Sequence, residues 1–212
     1  GHGVGPVVFS PDGTILATGD NAANTYLWRV SSHKLVATLS DPAGQGNTGI
    51  AFSPNGTTIA ASDPNGHVYL WSVSSHKLVA TLGDPASQGI NRVAFSPNGT
   101  TIATADANGH VYLWNGSSHK LVATLSDPAG QSVNDVAFSP HGTALVATTT
   151  DTANAESGEY VWNVATRSLI ATFHVPDSGG AFRLAFSPDG STLAVGDSNA
   201  HTYLWNMTWL KS

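Results

Sequence analysis

Short apolar segments alternate with turn-forming residues along the whole chain. In residues 90–126 the segments INRVAFS, TTIATA, HVYLWN and KLVATLS are separated by the turns PNG, DANG and GSSH. Each apolar segment has about five or six strand-like positions, rich in β-branched and aromatic residues. Asn-Gly is a strong hairpin signal because both residues tolerate a positive φ. The pattern therefore predicts four successive strands, and no segment has a helical period.

The same pattern recurs at a fixed interval. The tripeptide Phe-Ser-Pro begins at Phe9, Phe52, Phe95, Phe138 and Phe186, in steps of 43, 43, 43 and 48 residues. The tripeptide Tyr-(Leu/Val)-Trp ends at Trp28, Trp71, Trp114, Trp162 and Trp205. Both markers indicate five repeats with five additional residues in the fourth. A four-stranded repeat of about 40–45 residues is typical of a β-propeller blade.

The chain resembles the WD-repeat family. The segments VAFSPNGTTIAT (residues 93–104) and VYLW (residues 111–114) carry the resemblance, which covers almost the whole chain. It implies one all-β domain, residues 1–212, built as a β-propeller of four-stranded antiparallel blades. The expected blades are about 1–43, 44–86, 87–129, 130–177 and 178–212, with most of the outer strand of the last blade missing. The nearly identical tandem repeats are similar to those of bacterial WD-repeat proteins.

Two features of that family are absent from the repeats. The residue after the marker tryptophan is never Asp, and the linkers DPAGQG, DPASQG and DPAGQS lack the Gly-His dipeptide. The hydrogen-bond network that the family builds on those residues is therefore in doubt. An aspartate does stand eight residues before four of the tryptophans, and we expect it to close an Asx turn onto its own backbone. These residues are Asp20, Asp63, Asp106 and Asp197.

The composition excludes several classes of function. Charged residues make up only 10% of the chain and the net charge is −6, with the eight Lys and Arg spread over the repeats. This distribution argues against a nucleic-acid surface. No apolar run is long enough for a membrane span. There is no Cys, and only two Glu occur, which argues against an enzyme with paired carboxylates. The compartment stays open.

The nine histidines do not predict a metal site. Two sets occupy equivalent positions of successive repeats, and ligands spaced around a ring cannot converge on one ion. These sets are His33, His76 and His119, and His67, His110 and His201. We expect no metal and no cofactor.

The most variable positions among the repeats lie at the start of the first strand. Three residues before each Phe marker stand Pro6, Gly49, Arg92, Asp135 and Arg183, and one residue earlier stand Gly5, Thr48, Asn91, Asn134 and Phe182. The resemblance implies that these positions open the innermost strands at one mouth of a central channel. Neutral drift explains such variation as well as recognition does. As a binding site, we expect Gly49, Arg92, Asp135, Phe182 and Arg183 to hold a short peptide of mixed charge.

The fourth repeat contains a polar insertion, TTTDTANAESGEY, residues 148–160. It carries Asp151, Glu156 and Glu159, which are candidates for a contact with a partner. A tolerated surface insertion explains the segment equally well.

We therefore expect a non-catalytic scaffold for a protein or peptide partner, within a larger bacterial signalling or regulatory protein. The alternative is a lectin-like propeller in which Asn, His and Tyr of NGHVYLW bind one sugar per blade. The chain is a piece of a larger propeller, a five-blade ring, or a unit that assembles with other copies. In the first and third cases, open blade ends would favour self-association.

Overall fold

The computed structural model describes residues 3–86, 88–126, 130–150, 157–175 and 180–211. These residues form nineteen strands. The strands are β1 Val4–Phe9, β2 Ile15–Asp20, β3 Asn24–Arg29, β4 Lys34–Ser40, β5 Gly49–Phe52, β6 Thr58–Ser62, β7 His67–Ser72, β8 Leu78–Gly83, β9 Ile90–Phe95, β10 Thr101–Asp106, β11 His110–Asn115, β12 Leu121–Ser126, β13 Val133–Phe138, β14 Ala144–Thr149, β15 Ser157–Asn163, β16 Leu169–Val175, β17 Ala181–Phe186, β18 Thr192–Asp197 and β19 Thr202–Asn206.

Successive strands pair antiparallel into five separate sheets, which are the blades. Blades 1 to 4 comprise β1–β4, β5–β8, β9–β12 and β13–β16, and blade 5 comprises only β17–β19. The prediction of four-stranded blades and an incomplete fifth is confirmed. The sequence did not predict the short 3₁₀ helix Thr208–Lys211 that follows β19. Within the described ranges, no helix has the length and apolar character needed to cross a membrane.

The first hairpin of each blade is fixed by local hydrogen bonds. In blade 2 the hydroxyl of Ser53 donates to Oδ1 of Asn55 over 2.7 Å. The backbone N–H of Thr58 donates to the Ser53 Oγ over 2.9 Å. Gly56 completes the turn with a φ of 69°, a conformation that costs glycine little. The Ser-Pro-Asn-Gly segment therefore ends one strand and starts the next.

The hydrophobic core is divided between pairs of neighbouring blades. We define the front face of a blade by the apolar residues that pack on the preceding blade, and the back face by those that pack on the following one. In the first interface, Ala17, Leu27 and Leu39 of blade 1 pack on Ile50, Phe52, Ile59, Ala61, Tyr69 and Trp71 of blade 2. Equivalent clusters join blades 2 and 3, 3 and 4, and 4 and 5. A single blade therefore depends on its neighbours for burial.

The five blades form an open arc. The innermost strands pack in the order β1, β5, β9, β13 and β17. In the part of the chain that the structure describes, β17 does not pack against β1 in the same way. The front face of blade 1 and the back face of blade 5 are consequently bare, with Phe9 58% exposed and Leu204 70% exposed. The residues that the structure describes therefore do not form a closed five-blade ring.

Candidate functional site

The inner ends of the blades surround a cavity of about 580 Å³. Its wall contains residues of all five blades, contributed by the innermost strands and by the linker that precedes β5. Most of the lining side chains are uncharged. The three charged ones are Arg92, Asp135 and Arg183, which occupy equivalent positions of β9, β13 and β17. The structure therefore brings together the charged residues that the sequence placed at the channel mouth.

Arg92 and Asp135 form an ion pair between blades 3 and 4. The Arg92 Nε donates to the Asp135 Oδ1 over 2.9 Å, and their side chains are 20% and 8% exposed. The second oxygen, Oδ2, accepts the backbone N–H of Leu184 in blade 5 over 3.2 Å. Asp135 therefore connects three blades, and its negative charge is already paired.

Arg183 is the exposed cation of this group. Its Nη1 donates to the carbonyl oxygen of Phe182 over 2.7 Å, and the residue remains exposed. Partial burial and repulsion from Arg92 lower the pKa of Arg183, while Asp135 acts in the opposite direction. Two arginines and one aspartate leave a net charge of +1 in the cavity wall, against −6 for the whole chain. The cavity is therefore a local positive site on an acidic protein.

Gly49 and Phe182 contribute less directly to the cavity. Gly49 is buried, and a Cβ at this position would lie 3.2 Å from Cδ of Arg92. Its lack of a side chain makes room for the stem of Arg92. Phe182 lies outside the cavity wall, and its side chain is 45% exposed beside Arg183. Of the five residues that the sequence predicts as a binding site, Gly49 and Phe182 are thus the two outside the cavity wall.

The second row of variable positions joins the blades to one another. The hydroxyl of Thr48 donates to the carbonyl oxygen of Ile90 in the next blade over 2.5 Å. Asn91 Nδ2 donates in the same way to Val133 over 2.8 Å, and Asn134 Nδ2 to Ala181 over 2.8 Å. We name these three side chains the interblade donors. Thr and Asn differ in type, but both carry a polar side chain that can donate a hydrogen bond. That shared property was the sequence signal for contacts between blades.

The aspartates that precede the marker tryptophans do close Asx turns. Asp106 Oδ1 accepts the backbone N–H groups of Asn108 and His110 over 2.9 and 2.7 Å. Its Oδ2 lies 3.0 Å from Nδ1 of His110 and accepts the Tyr112 hydroxyl over 3.2 Å. Asp20, Asp63 and Asp197 accept the corresponding backbone bonds. The Asx-turn prediction is confirmed.

The linker aspartates provide a second partner for the repeated tyrosines. Burial raises the pKa of Tyr69, and so does its hydrogen bond to Asp41 of the preceding linker. Burial and a hydrogen bond to Asp84 raise the pKa of Tyr112 in the same manner. The two tyrosines are only 5% and 2% exposed. Their rings and hydroxyls are thus used within the fold, so these two tyrosines offer no exposed ring on which a sugar could stack.

The indole groups of the repeat have a partial substitute for the missing family network. The Nε1 atoms of Trp28 and Trp114 donate to hydroxyls of Thr18 and Thr104 over 3.1 and 3.0 Å. In blade 5 the equivalent position is Val195, and the buried Nε1 of Trp205 has no hydrogen-bond partner. This bond is therefore not a uniform feature of the repeats.

The insertion of blade 4 differs from its predicted structure. The prediction that placed Glu159 in a surface loop is wrong, because Glu159 lies in β15, opposite Thr148 and Phe173, and is completely buried. Asp151 and Glu156 lie outside the described residues. Among the residues described, no group of three or more His, Asp or Glu side chains could hold a metal ion.

Comparison with known proteins identifies the repeat. The model of the WD domain, G-beta repeat, matches residues 76–115, 119–153 and 167–206. The model of the anaphase-promoting complex subunit 4 WD40 domain matches residues 7–87. No curated protein matches the sequence.

Two solved structures illustrate the similarity of fold. Kuenenia stuttgartiensis hydrazine synthase aligns with a TM-score of 0.83 and 15% identity over 89% of this chain and 54% of the other. The β-propeller domain of Myceliophteria thermophila Cps50 (Swd1) aligns with a TM-score of 0.80 and 20% identity over 93% of this chain and 62% of the other. The chain thus spans less than two thirds of either structure.

Proposed function

Since the chain belongs to the WD40 repeat family, we propose that it is a non-catalytic scaffold that binds an acidic segment of a partner protein at the channel mouth. WD40 propellers generally mediate protein interactions, which supports a protein or peptide as the class of ligand. The proposed position and charge of the ligand are inferred from the residues that line the cavity. Under this proposal, the chain is part of a larger regulatory or signalling protein.

The observation that supports the acidic ligand is the unequal pairing of the two arginines. Arg92 is held by Asp135, whereas the guanidinium of Arg183 donates a hydrogen bond to the neighbouring carbonyl oxygen of Phe182. A guanidinium group offers five donors and binds carboxylates in a planar, bidentate geometry. Arg183 therefore has donors available for a ligand carboxylate, with Arg92 adding a favourable field.

Two further features fit a peptide. The uncharged residues Pro6 and Val8 on one side of the cavity provide apolar wall. The exposed ring of Phe182 stands next to Arg183 and would pack against an apolar residue of the ligand beside its carboxylate. Since the cavity is open and its wall carries a net charge of only +1, we expect weak binding with rapid exchange.

A peptide array tests the proposal. The parent chain, Arg183→Ala and the control Arg29→Ala are applied to the same array, which includes acidic, basic and neutral peptides. Arg29 is an exposed arginine at the end of β3 and lies outside the cavity wall. We expect the parent and Arg29→Ala to select the same Asp- or Glu-containing peptides and Arg183→Ala to lose them. Identical profiles for all three proteins would contradict the site.

A further inference from the structure

One position after the third strand of each blade is different in blade 3. It is Val30, Val73, Val164 and Met207 in blades 1, 2, 4 and 5, but Gly116 in blade 3. In every blade this residue donates its backbone N–H to the carbonyl oxygen just before the second strand, so the position is equivalent. Val73, Val164 and Met207 pack into the interface with the preceding blade. The interface between blades 2 and 3 lacks this side chain.

A pocket of about 230 Å³ lies between blades 2 and 3 where that side chain is missing. Gly116 forms part of its wall, and we name it the Gly116 pocket. It reaches Leu70, Phe95 and Ile102, which belong to the hydrophobic cluster that joins the two blades. A Cβ on Gly116 would collide with the carbonyl oxygen of Gly99, so the backbone of blade 3 accepts only glycine here.

The corresponding groove between blades 3 and 4 does not reach as deep. Its wall contains Val164 at the position of Gly116, together with Leu113 of the sheet face below. It does not contain Phe138 or Leu145, which are the counterparts of the two deep residues of the Gly116 pocket in blade 3. The side chain at this one position therefore determines whether the groove between two blades opens onto the hydrophobic core.

The rim of the Gly116 pocket carries hydrogen-bond donors. Asn98 Oδ1 accepts the backbone N–H and the hydroxyl of Thr100 over 3.0 and 2.8 Å, which orients the amide group. Asn98 Nδ2 donates to no residue within the described ranges, and Asn55 of blade 2 is arranged in the same way. His119 lines the pocket and is half-buried, whereas the equivalent His76 of blade 2 is exposed.

We propose that the Gly116 pocket binds an aliphatic side chain of a partner peptide, with leucine as the fitting residue. The equivalent position of the other interfaces is filled by an aliphatic side chain of the fold, Val73, Val164 or Met207. Small-molecule sites usually have volumes of about 300–1,000 Å³, so this pocket is suited to one side chain rather than to a whole ligand. The amide donors at the rim match the carbonyl oxygens of a peptide backbone.

This site is separate from the channel mouth. The pocket wall contains the first hairpin turns, which follow the innermost strands, whereas Arg92 and Arg183 lie near the beginning of those strands. The two sites are therefore at opposite ends of the blades. The proposal depends on no acidic group of the ligand, so it can fail or succeed independently of the proposed function.

Two blocked peptides test the site, acetyl-Gly-Leu-Gly-amide and acetyl-Gly-Ala-Gly-amide. Neither carries a charge, so a ligand carboxylate plays no part in their binding. Each is titrated into the ¹⁵N-labelled chain and followed by amide chemical shifts. We expect the leucine peptide to shift the signals of Gly99, Gly116 and His119. The alanine peptide should bind at least about tenfold more weakly, because it lacks the apolar surface that fills the pocket.

Asn98→Asp tests the rim without disturbing the turn. Asp12 and Asp189 accept the equivalent turn bonds in blades 1 and 5, so an aspartate fits this position and only the amide donors are lost. We expect the leucine peptide to bind about two- to tenfold more weakly, as for the loss of one hydrogen bond. The control Asn108→Asp makes the same change at an exposed residue of blade 3 outside the pocket, and should bind as the parent does.

His119→Ala removes a side chain of the pocket wall and should also weaken binding of the leucine peptide. Its control is His76→Ala, since both histidines have a φ of 58° in the same turn. Equal binding of the leucine and alanine peptides would overturn the proposal. So would shifts confined to the channel mouth, or parent-like affinity in both Asn98→Asp and His119→Ala.

Discussion

Leu70 and Leu204 occupy the same position of the repeat in opposite environments. Leu70 in blade 2 is completely buried under blade 3, whereas Leu204 in blade 5 is 70% exposed. Both pair with an alanine across the sheet, Ala60 and Ala194. The local sequence thus specifies an apolar sheet face, while burial depends on the neighbouring blade. In this fold, stability belongs to the interfaces between repeats.

The strongest test of this comparison is the matched pair Leu70→Ala and Leu204→Ala. Loss of a buried leucine costs about 2–5 kcal/mol in the free energy of unfolding, through lost transfer energy and the remaining cavity. Loss of the exposed leucine should cost less than about 0.5 kcal/mol in the monomer. Urea unfolding at low protein concentration measures both, and equal losses would show that blade 5 is covered.

The two arginines of the channel extend the comparison from apolar to charged residues. Arg92→Ala removes the ion partner of Asp135 and should destabilise the chain by about 1.5–3 kcal/mol, the range for hydrogen bonds to charged groups. Arg183→Ala should change stability by less than about 0.5 kcal/mol, because this residue is exposed. Thermal unfolding of the two variants should therefore separate a structural arginine from a ligand-binding one. A stable Arg92→Ala variant would mean that Asp135 is solvated in solution.

The smallest effect is expected at the first hairpin turn of blade 1. Hydrogen bonds from the hydroxyl of Ser10 and from Thr14 lower the pKa of Asp12. A carboxyl whose folded pKa lies below its unfolded value of about 3.9 contributes stability above that pH and loses it as the pH falls through the folded pKa. Asp12→Asn should therefore reduce the loss of stability between neutral pH and about pH 3.

Blade 2 provides the matched control for the pH effect. Asn55 occupies the same turn and accepts the equivalent bonds from Ser53 and Thr57. Asn55→Asp should add an acid-dependent loss of the same kind. Urea midpoints at the two pH values measure both variants. If the pH dependence of stability in both variants equals that of the parent, the hydrogen bonds of the turn stabilise a carboxylate and an amide equally.

The strands and turns could be predicted from the sequence because their causes are local. Ser, Pro and Gly occur together at the first hairpin, with Asn or Asp before the Gly in four of the five repeats, and the aspartates of the second turn bond their own backbone. The positions of Asp41 and Asp84 could be read in the same way, but not their bonds to Tyr69 and Tyr112. Each tyrosine lies in the blade that follows its aspartate. The sequence of a single repeat therefore does not contain both partners of the hydrogen bond.

The candidate site shows the same limit. The sequence shows that the channel-mouth positions vary among the repeats. Neutral drift and ligand recognition were the two explanations of that variation. The structure adds a third cause, since Thr48, Asn91 and Asn134 bond the next blade. Likewise, the sequence placed Glu159 in the polar insertion because polar residues precede it. In the structure Glu159 belongs to β15, which pairs with β14, and its side chain is buried. Nonlocal contacts, not local propensity, set both results.

A double-mutant cycle on the acidic peptide that the array selects tests the central claim most directly. The affinities of the parent and Arg183→Ala are measured by calorimetry for that peptide and for a version with its carboxylates changed to amides. If Arg183 binds a ligand carboxylate, the two changes should be coupled by at least about 0.5–1 kcal/mol, so that the peptide change matters little once Arg183 is lost. Additive effects would contradict a contact between Arg183 and the acidic group of the partner.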